Sequence, residues 1–265
     1  MIFKKNIFYP PIIQSAIAGI ANTQFCQKML DFNVGMTILG GLSIDEKCNS
    51  ATKLLLKRGR KEFLLPEKKV EIEKWCKNNL ELKRKIENQK ISINIRLVDI
   101  DKMSKIWLKI LCSYVDFIEI NAHCRQEEIV NAGGGEGLLF NLTHLERLLK
   151  EIRETVPKIS LGIKIRGFVI ENYYTLIDIL EKYECKYIHI DAMLPNKQKA
   201  DLNIIRKFVE KTNIPIIGNN SIRTIKDIQE MLETGAIAIS LARPLIRNPS
   251  VIRDLISEYS RCKNE

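Results

Sequence analysis

An asparagine and a cysteine three residues apart follow a short apolar segment in the middle of the chain. The segment 115–120 (VDFIEI) leads into Asn121 and Cys124, and three consecutive glycines follow at 133–135. Cys124 is also the one cysteine of seven that stands beside a glycine-rich loop. Since α/β proteins place their chemistry at the carboxyl ends of strands, this stretch predicts part of an active site.

Other polar residues occur at the ends of later apolar segments. They are Asn94 and Arg96, Lys164 and Arg166, His189 and Asp191, Asn219 and Asn220, and Ala242 and Arg243. Residues two apart on a strand share a face, so each of the first three pairs points one way. Burying a lysine in an apolar strand costs free energy unless it meets an anion or an electron-rich ring. Lys164 therefore predicts a ligand.

The last two segments predict a phosphate site. Gly-Asn-Asn-Ser at 218–221 and Ala-Arg-Pro at 242–244 each precede a predicted helix. Free backbone N–H groups at a helix start, with a nearby guanidinium, bind phosphate. Together with Lys164 and His189, this pattern favours a phosphorylated cofactor such as FMN. The alternative is a solvated rim that binds nothing.

Eight apolar segments, each followed by a helical pattern, have to position these residues. The predicted strands are 11–18, 34–39, 91–97, 115–120, 159–165, 187–192, 214–218 and 236–241. The predicted helices include 22–32, 102–112, 142–155, 172–183, 201–212, 224–234 and 249–261. Near-continuous Ile/Val/Leu strands that alternate with helices predict a parallel, eight-stranded (β/α)8 TIM barrel. An open doubly wound sheet would have fewer strands and a phosphate loop after the first.

The longest interruption of this alternation is a charged region at about 45–89. It predicts two or more helices inserted between strands two and three, within one barrel domain at 1–265. Its last part, 67–89, predicts an outer helix with one buried stripe. The stripe would consist of Val70, Ile72, Trp75, Leu80 and Ile86.

Composition limits the class of protein. Of the 265 residues, 45% are hydrophobic, and no apolar run reaches the roughly 20 residues of a membrane helix. We therefore expect a soluble, cytoplasmic protein. The seven cysteines are dispersed without a C-x-x-C pair, which argues against disulfides and against a metal site. The net charge of +10 reflects either a lysine-rich genome or a polyanionic partner such as RNA.

The segment around Cys124 resembles a known family. Asn121, Cys124, Gly133, Gly135 and Leu138 stand at the spacing of the motif N-x-G-C-P-x-x-x-V-x-x-x-G-x-G-x-x-L-L of the tRNA-dihydrouridine synthases. These belong to the wider group of dihydroorotate-dehydrogenase-like FMN barrels. Segments 16–25, 164–166, 218–222 and 241–249 are similar to further family motifs, and the resemblance covers about 11–250.

The resemblance implies an FMN across the barrel mouth and a uracil ring as the substrate. Cys124 matches the general acid that protonates C5 while reduced FMN delivers hydride to C6. A thiol suits this role because it can release a proton near neutral pH and still occupy a dry pocket. Asn121 and Arg166 would hold uracil or flavin edges. The implied cofactor-binding residues are Asn94, Lys164, His189, Asn219, Asn220, Ala242 and Arg243.

Some positions depart from the family pattern. His123 and Arg125 replace the glycine and proline beside the cysteine, and Asp191 with Ala192 replaces a Gly-Arg pair. Because the barrel pattern extends to the last predicted helix, we expect no counterpart of the helical domain that grips tRNA in the family. We therefore expect either that basic barrel helices bind tRNA or that the substrate is not tRNA. NAD(P)H or another donor would supply electrons.

Two other functions fit the same residues. The first is a small-molecule flavin oxidoreductase similar to dihydroorotate dehydrogenase. The second is a barrel that has lost catalysis and acts as a binding protein, which the altered residues around Cys124 would allow. Flavin in the purified protein would favour either of the enzymes over the binding protein.

Overall fold

Eight parallel strands form a closed barrel in the computed structural model, which describes residues 7–170, 172–194 and 199–263. Each strand pairs with the next in chain order, and the eighth pairs with the first. The strands are β1 (Ile12–Gln14), β2 (Met36–Ser43), β3 (Lys90–Arg96), β4 (Phe117–Ala122), β5 (Ser160–Arg166), β6 (Tyr187–Asp191), β7 (Ile216–Asn219) and β8 (Ala238–Leu241). The predicted (β/α)8 barrel is confirmed.

Helices connect the strands along the outside of the barrel. They are α1 (Thr23–Asp31), α2 (Glu46–Lys57), α3 (Lys69–Leu80), α4 (Lys102–Leu111), α5 (Glu127–Asn131), α6 (Gly137–Phe140), α7 (Leu142–Thr155), α8 (Tyr173–Lys182), α9 (Leu202–Lys211), α10 (Ile225–Glu233), α11 (Arg243–Arg247) and α12 (Val251–Cys262). Side-chain caps fix several starts, because an Asp or Asn oxygen accepts a backbone N–H that the helix leaves unpaired. Asn141, for example, accepts from His144 N at the start of α7.

Asp45 joins the start of α2 to the end of β3. Its carboxylate caps α2 at Cys48 N and also accepts from the backbone N–H groups of Val98 and Asp99. The insertion is therefore anchored to the barrel at its first residue.

The second strand is longer than predicted. The sequence prediction ended it at Gly40 and Gly41, but β2 runs through both glycines to Ser43. Gly40 pairs with Asn94, after which a register shift lets Leu42 pair with Ile95. Gly41 leaves room for a neighbouring side chain, since a Cβ there would lie 2.8 Å from Asn94 Oδ1. The glycines mark a close approach of side chains and not a strand end.

Two helices, α2 and α3, lie between β2 and β3, but the predicted buried stripe of the second is partly wrong. Helix α3 ends at Leu80, and its buried positions are Ile72, Cys76 and Leu80, which recur every four residues on one helical face. Val70 is 75% exposed and Ile86 is 38% exposed, so neither belongs to the stripe.

The lower part of the barrel lumen is apolar and rests on a large aromatic residue. Tyr187 packs against Phe8 and Phe117, with ring centroids 5.9 and 5.5 Å away. Gly162 on the neighbouring strand leaves room for the ring, since a Cβ there would lie 2.2 Å from Tyr187 Cζ. This layer closes the lumen from below and leaves the upper end for polar groups.

Within the part of the chain that the structure describes, every helix is too short or too polar to cross a bilayer.

We predict that Gly162→Ala lowers the free energy of unfolding by about 1–3 kcal/mol, the usual cost of overpacking a core. Chemical denaturation would measure the loss. A Tyr187→Leu background removes the ring that the new methyl group meets, so the same substitution should cost less there. An equal cost in both backgrounds would contradict the proposed contact.

Candidate active site

A cavity of about 570 Å³ opens at the carboxyl ends of the strands. All the predicted site residues except His189 line it, and these are Asn94, Asn121, Cys124, Lys164, Arg166, Asn219, Asn220, Ala242 and Arg243. They come from β3, the β4 end, β5, β7 and the β8 end. The barrel thus brings together residues that are far apart in sequence.

Below the cavity lies a buried ionic network centred on Glu119, which the sequence analysis missed. Glu119 is fully buried, and its carboxylate accepts from Asn94 Nδ2 at 2.7 Å and from His189 Nδ1 at 2.8 Å. Burial acts to raise the pKa of Glu119, but His189 and Lys164 outweigh it and hold the pKa below its usual value. The charge of Glu119 and its shared face with Asn121 were the signals that could have revealed it.

His189 lies beneath the cavity and does not line it. The side chain is fully buried, and Nε2 lies 2.6 Å from Ser240 Oγ while Nδ1 faces Glu119. Burial, followed by the nearby Lys164, lowers the pKa of His189, so the ring is neutral at pH 7. Both nitrogens are occupied within the protein.

Lys164 extends from β5 towards the first strand. Its side chain is buried, and Nζ donates to Ser15 Oγ at 2.5 Å. Burial lowers the pKa of Lys164, and the carboxylates of Glu119 and Asp191 oppose this shift. Since Ser15 takes one of three donors, the ammonium group can still bind a ligand in the cavity.

Asn121 organises the loop that carries the cysteine. Its Oδ1 accepts from His123 N at 3.1 Å and from Cys124 N at 2.9 Å, and its Nδ2 donates to Asn94 Oδ1 at 2.8 Å. Gly135 closes over this loop with φ +56°, where a Cβ would lie 2.2 Å from Cys124 O. The glycine in the motif is thus required by the close approach of two backbone segments.

A buried ion pair lies beside Cys124. Arg96 Nη1 is 2.7 Å from Glu62 Oε2, and both side chains are almost completely buried. Burial acts to lower the pKa of Arg96, but the adjacent Cys124 and Glu62 outweigh it and raise the pKa. Glu62 belongs to the charged insertion, and nothing in its sequence context distinguishes it from the neighbouring charges.

His123 and Asp191 form a second polar cluster on the wall of the cavity. His123 Nε2 lies 2.7 Å from Asp191 Oδ2. Asp191 Oδ1 accepts from Asn220 Nδ2 at 2.7 Å, and Arg166 Nη1 lies 3.6 Å from Oδ2. Arg166 also lies 3.2 Å from Glu136. Two of the residues that depart from the family pattern, His123 and Asp191, therefore contact each other.

The two segments predicted from sequence to bind phosphate line an adjoining cavity of about 660 Å³. Asn220 and Ser221 both have positive φ, +97° and +61°, and Ser221 N donates to Asn220 Oδ1 at 2.9 Å. Arg243 Nη2 donates to Asn220 Oδ1 at 3.3 Å, and its side chain is otherwise exposed. Asn219 is held by Ser240, at 2.7 Å from its Oγ.

Fold comparison defines the class of barrel. The crystal structure of DHODH in complex with ferulenol from Eimeria tenella matches with a TM-score of 0.69 and 14% sequence identity. The match covers 97% of this chain and 82% of that structure. At this identity the match shows a shared fold.

The family is defined by sequence. The profile of the dihydrouridine synthase (Dus) family matches residues 61–264, and the chain belongs to this family. An uncharacterized protein of Methanocaldococcus jannaschii is 32% identical over 251 residues, which are 93% of this chain and 94% of that protein. A Mus musculus protein, tRNA-dihydrouridine(20a/20b) synthase-like, is 27% identical over 150 residues, which are 54% of this chain and 46% of that protein. The chain thus spans about half the length of this named synthase.

We predict an acid-sensitive contribution of His123 to stability. Burial lowers the pKa of His123 to about 4, although Asp191 opposes the shift, whereas the unfolded chain has the ordinary value of 6.5. Between these values the unfolded state binds more protons, so stability falls as the pH falls from 6.5 towards 4. With a quarter of the side chain exposed, we expect a loss of about 1–2 kcal/mol by pH 5.

Urea unfolding at pH 7.5 and pH 5 would measure this loss. His123→Asn removes the titrating ring and should lose less stability over the same interval, while His189 contributes equally to both proteins. Equal losses in the two proteins would contradict the assignment.

Proposed function

We propose that this protein is an FMN-dependent reductase of the C5=C6 bond of uracil, acting on tRNA. The observation that carries the proposal is the thiol of Cys124 in a strand-end cavity that also contains Lys164 and Arg166. Membership of the dihydrouridine synthase family supports the same chemistry. Among the described residues Cys124 is the one cysteine that lines this cavity.

The residues of the mouth fit FMN. The two adjoining cavities have volumes within the roughly 300–1,000 Å³ typical of ligand sites. The turn at Asn220, with Ala242 and Arg243, offers N–H groups and a guanidinium to a phosphate. Asn94, Lys164 and Asn219 would hold the ring system, and a direct contact of His189 with the cofactor stays a prediction. When bound, FMN supplies the hydride that reduces C6.

Cys124 is proposed to protonate C5. The thiol gives its proton to carbon, and the resulting thiolate remains beside the guanidinium of Arg96, which Glu62 holds in place. The guanidinium thus places a positive charge next to the sulfur atom on which negative charge develops. Asn121 fixes the backbone of the loop, so that the thiol and the substrate keep one relative position.

Basic residues surround the mouth of the cavity and suit an RNA substrate. Arg60, Lys61, Arg125 and Arg243 are exposed and line the rim. Lysine and arginine bind nucleic acid mainly through phosphates, independently of sequence. The name of the mouse relative includes NAD(P)+, which supports NAD(P)H as the electron donor. The cytoplasmic location expected from the sequence stays a prediction.

We predict that the purified protein carries flavin absorption bands and releases FMN on denaturation. Lys164→Met should weaken FMN binding about tenfold or more, because one charged hydrogen bond is lost. Lys226→Met on the exposed face of α10 is the matched control and should bind normally. A colourless protein that cannot be loaded with FMN would exclude both flavin enzymes and favour the binding-protein alternative.

We predict that Cys124→Ala stalls dihydrouridine formation in tRNA isolated from a strain that lacks this gene. Mass spectrometry of the nucleosides would quantify the product. Cys185→Ala, at a buried cysteine outside the cavity, is the matched control and should keep its activity. Normal dihydrouridine levels in the deletion strain itself would exclude tRNA as the substrate.

A further inference from the structure

His123 is a residue of the cavity wall whose role the reaction described above leaves open. It lies immediately before Cys124 and replaces the glycine of the family motif. Its partner Asp191 replaces the glycine of the Gly-Arg pair that the family has at this position. A hydrogen bond 2.7 Å long joins these two side chains, which both depart from the family pattern.

The charge state of Asp191 fixes the position of the proton on His123. The His123 ring and Asn220 hold the pKa of Asp191 well below its usual value, although burial opposes this, so the carboxylate can only accept hydrogen bonds. The proton of the imidazole must then be on Nε2. Because burial keeps His123 neutral at pH 7, Nδ1 carries a lone pair and is an acceptor.

This acceptor is accessible from the cavity. Nδ1 has no hydrogen-bond partner among the described residues. It is not fully enclosed either, unlike several other unpaired polar atoms in that part of the chain. The side chain is 25% exposed, whereas that of Asp191 at its other end is 6% exposed. The open edge of the ring is therefore the edge away from Asp191.

Most groups around Cys124 that could bind a substrate are donors. Lys164, Arg166 and Arg96 carry N–H groups only. The other acceptors of this wall are used or enclosed. Asn121 Oδ1 already accepts two bonds, and Gln126 Oε1 is fully enclosed. His123 Nδ1 is thus the accessible side-chain acceptor beside Cys124 in the described part of the chain.

A uracil ring needs one such acceptor. Its polar edge presents two carbonyl oxygens, which suit the donors, and one N3–H group between them. We propose that His123 Nδ1 accepts the hydrogen bond of uracil N3–H and selects uracil against rings that lack this hydrogen. Cytosine, whose N3 is itself an acceptor, would face a lone pair at this position. This inference rests on the proposed function and names the group that specifies its substrate.

Two substitutions separate this role from a structural one. In His123→Gln the amide nitrogen can occupy the place of Nε2 and keep the contact with Asp191, but the Nδ1 acceptor is lost. In His123→Asn the amide oxygen can occupy the place of Nδ1, but the contact with Asp191 is lost. We expect kcat/KM for dihydrouridine formation to fall roughly 10- to 100-fold in His123→Gln, the usual effect of losing one such hydrogen bond. His123→Asn should keep a larger share of the activity.

The opposite order, with His123→Gln active and His123→Asn impaired, would overturn the inference and assign His123 a structural role. A second measurement uses uridine monophosphate and its N3-methyl derivative as competitors. The wild type should bind the unmethylated compound about tenfold more tightly, and His123→Gln should lose this preference. No preference in an active wild-type enzyme would also overturn the inference. A wild-type protein that forms no dihydrouridine would instead contradict the proposed function.

Discussion

The polar side chains of the upper barrel lumen are arranged around one buried carboxylate, that of Glu119. Glu119 cannot be ionised in a dry interior unless it is neutralised and hydrogen-bonded, and His189, Asn94 and Lys164 meet this requirement from three neighbouring strands. Removing one partner would leave the buried charge of Glu119 less well compensated. The residues directly above are held by this network, since Asn94 also accepts from Asn121, which in turn holds Cys124.

These contacts divide the residues of the cavity mouth into those that support their neighbours and those that are available to ligands. His189, whose two ring nitrogens both contact protein groups, keeps its neighbours in place. Residues with spare hydrogen-bonding capacity, such as Lys164, Arg243 and His123, are available to ligands. The sequence motif contains both kinds without distinguishing them, because residue type alone does not reveal which atoms are already bonded.

Much of the architecture was predictable because burial on both faces makes barrel strands uniformly apolar. Alternation with amphipathic helices then specifies the topology, and the helix 142–155 was predicted to the residue. Contacts between distant segments were not predictable. Glu62 and Arg96 are 34 positions apart, and no periodicity relates a loop in an insertion to a strand end. Val70 was misassigned because apolar residues in a charged helix were all taken as buried, although a single exposed valine costs little.

Asp191 links the two halves of the cavity. One carboxylate oxygen holds Asn220 in the turn proposed for the phosphate, and the other holds His123 beside the cysteine. A ligand that tightens the turn therefore also restrains the imidazole. Because coupling between binding equilibria is reciprocal, any effect of a ligand at the turn on binding beside Cys124 is matched by an equal effect of binding beside Cys124 on the ligand at the turn. A single side chain thus connects the two ends of the cavity.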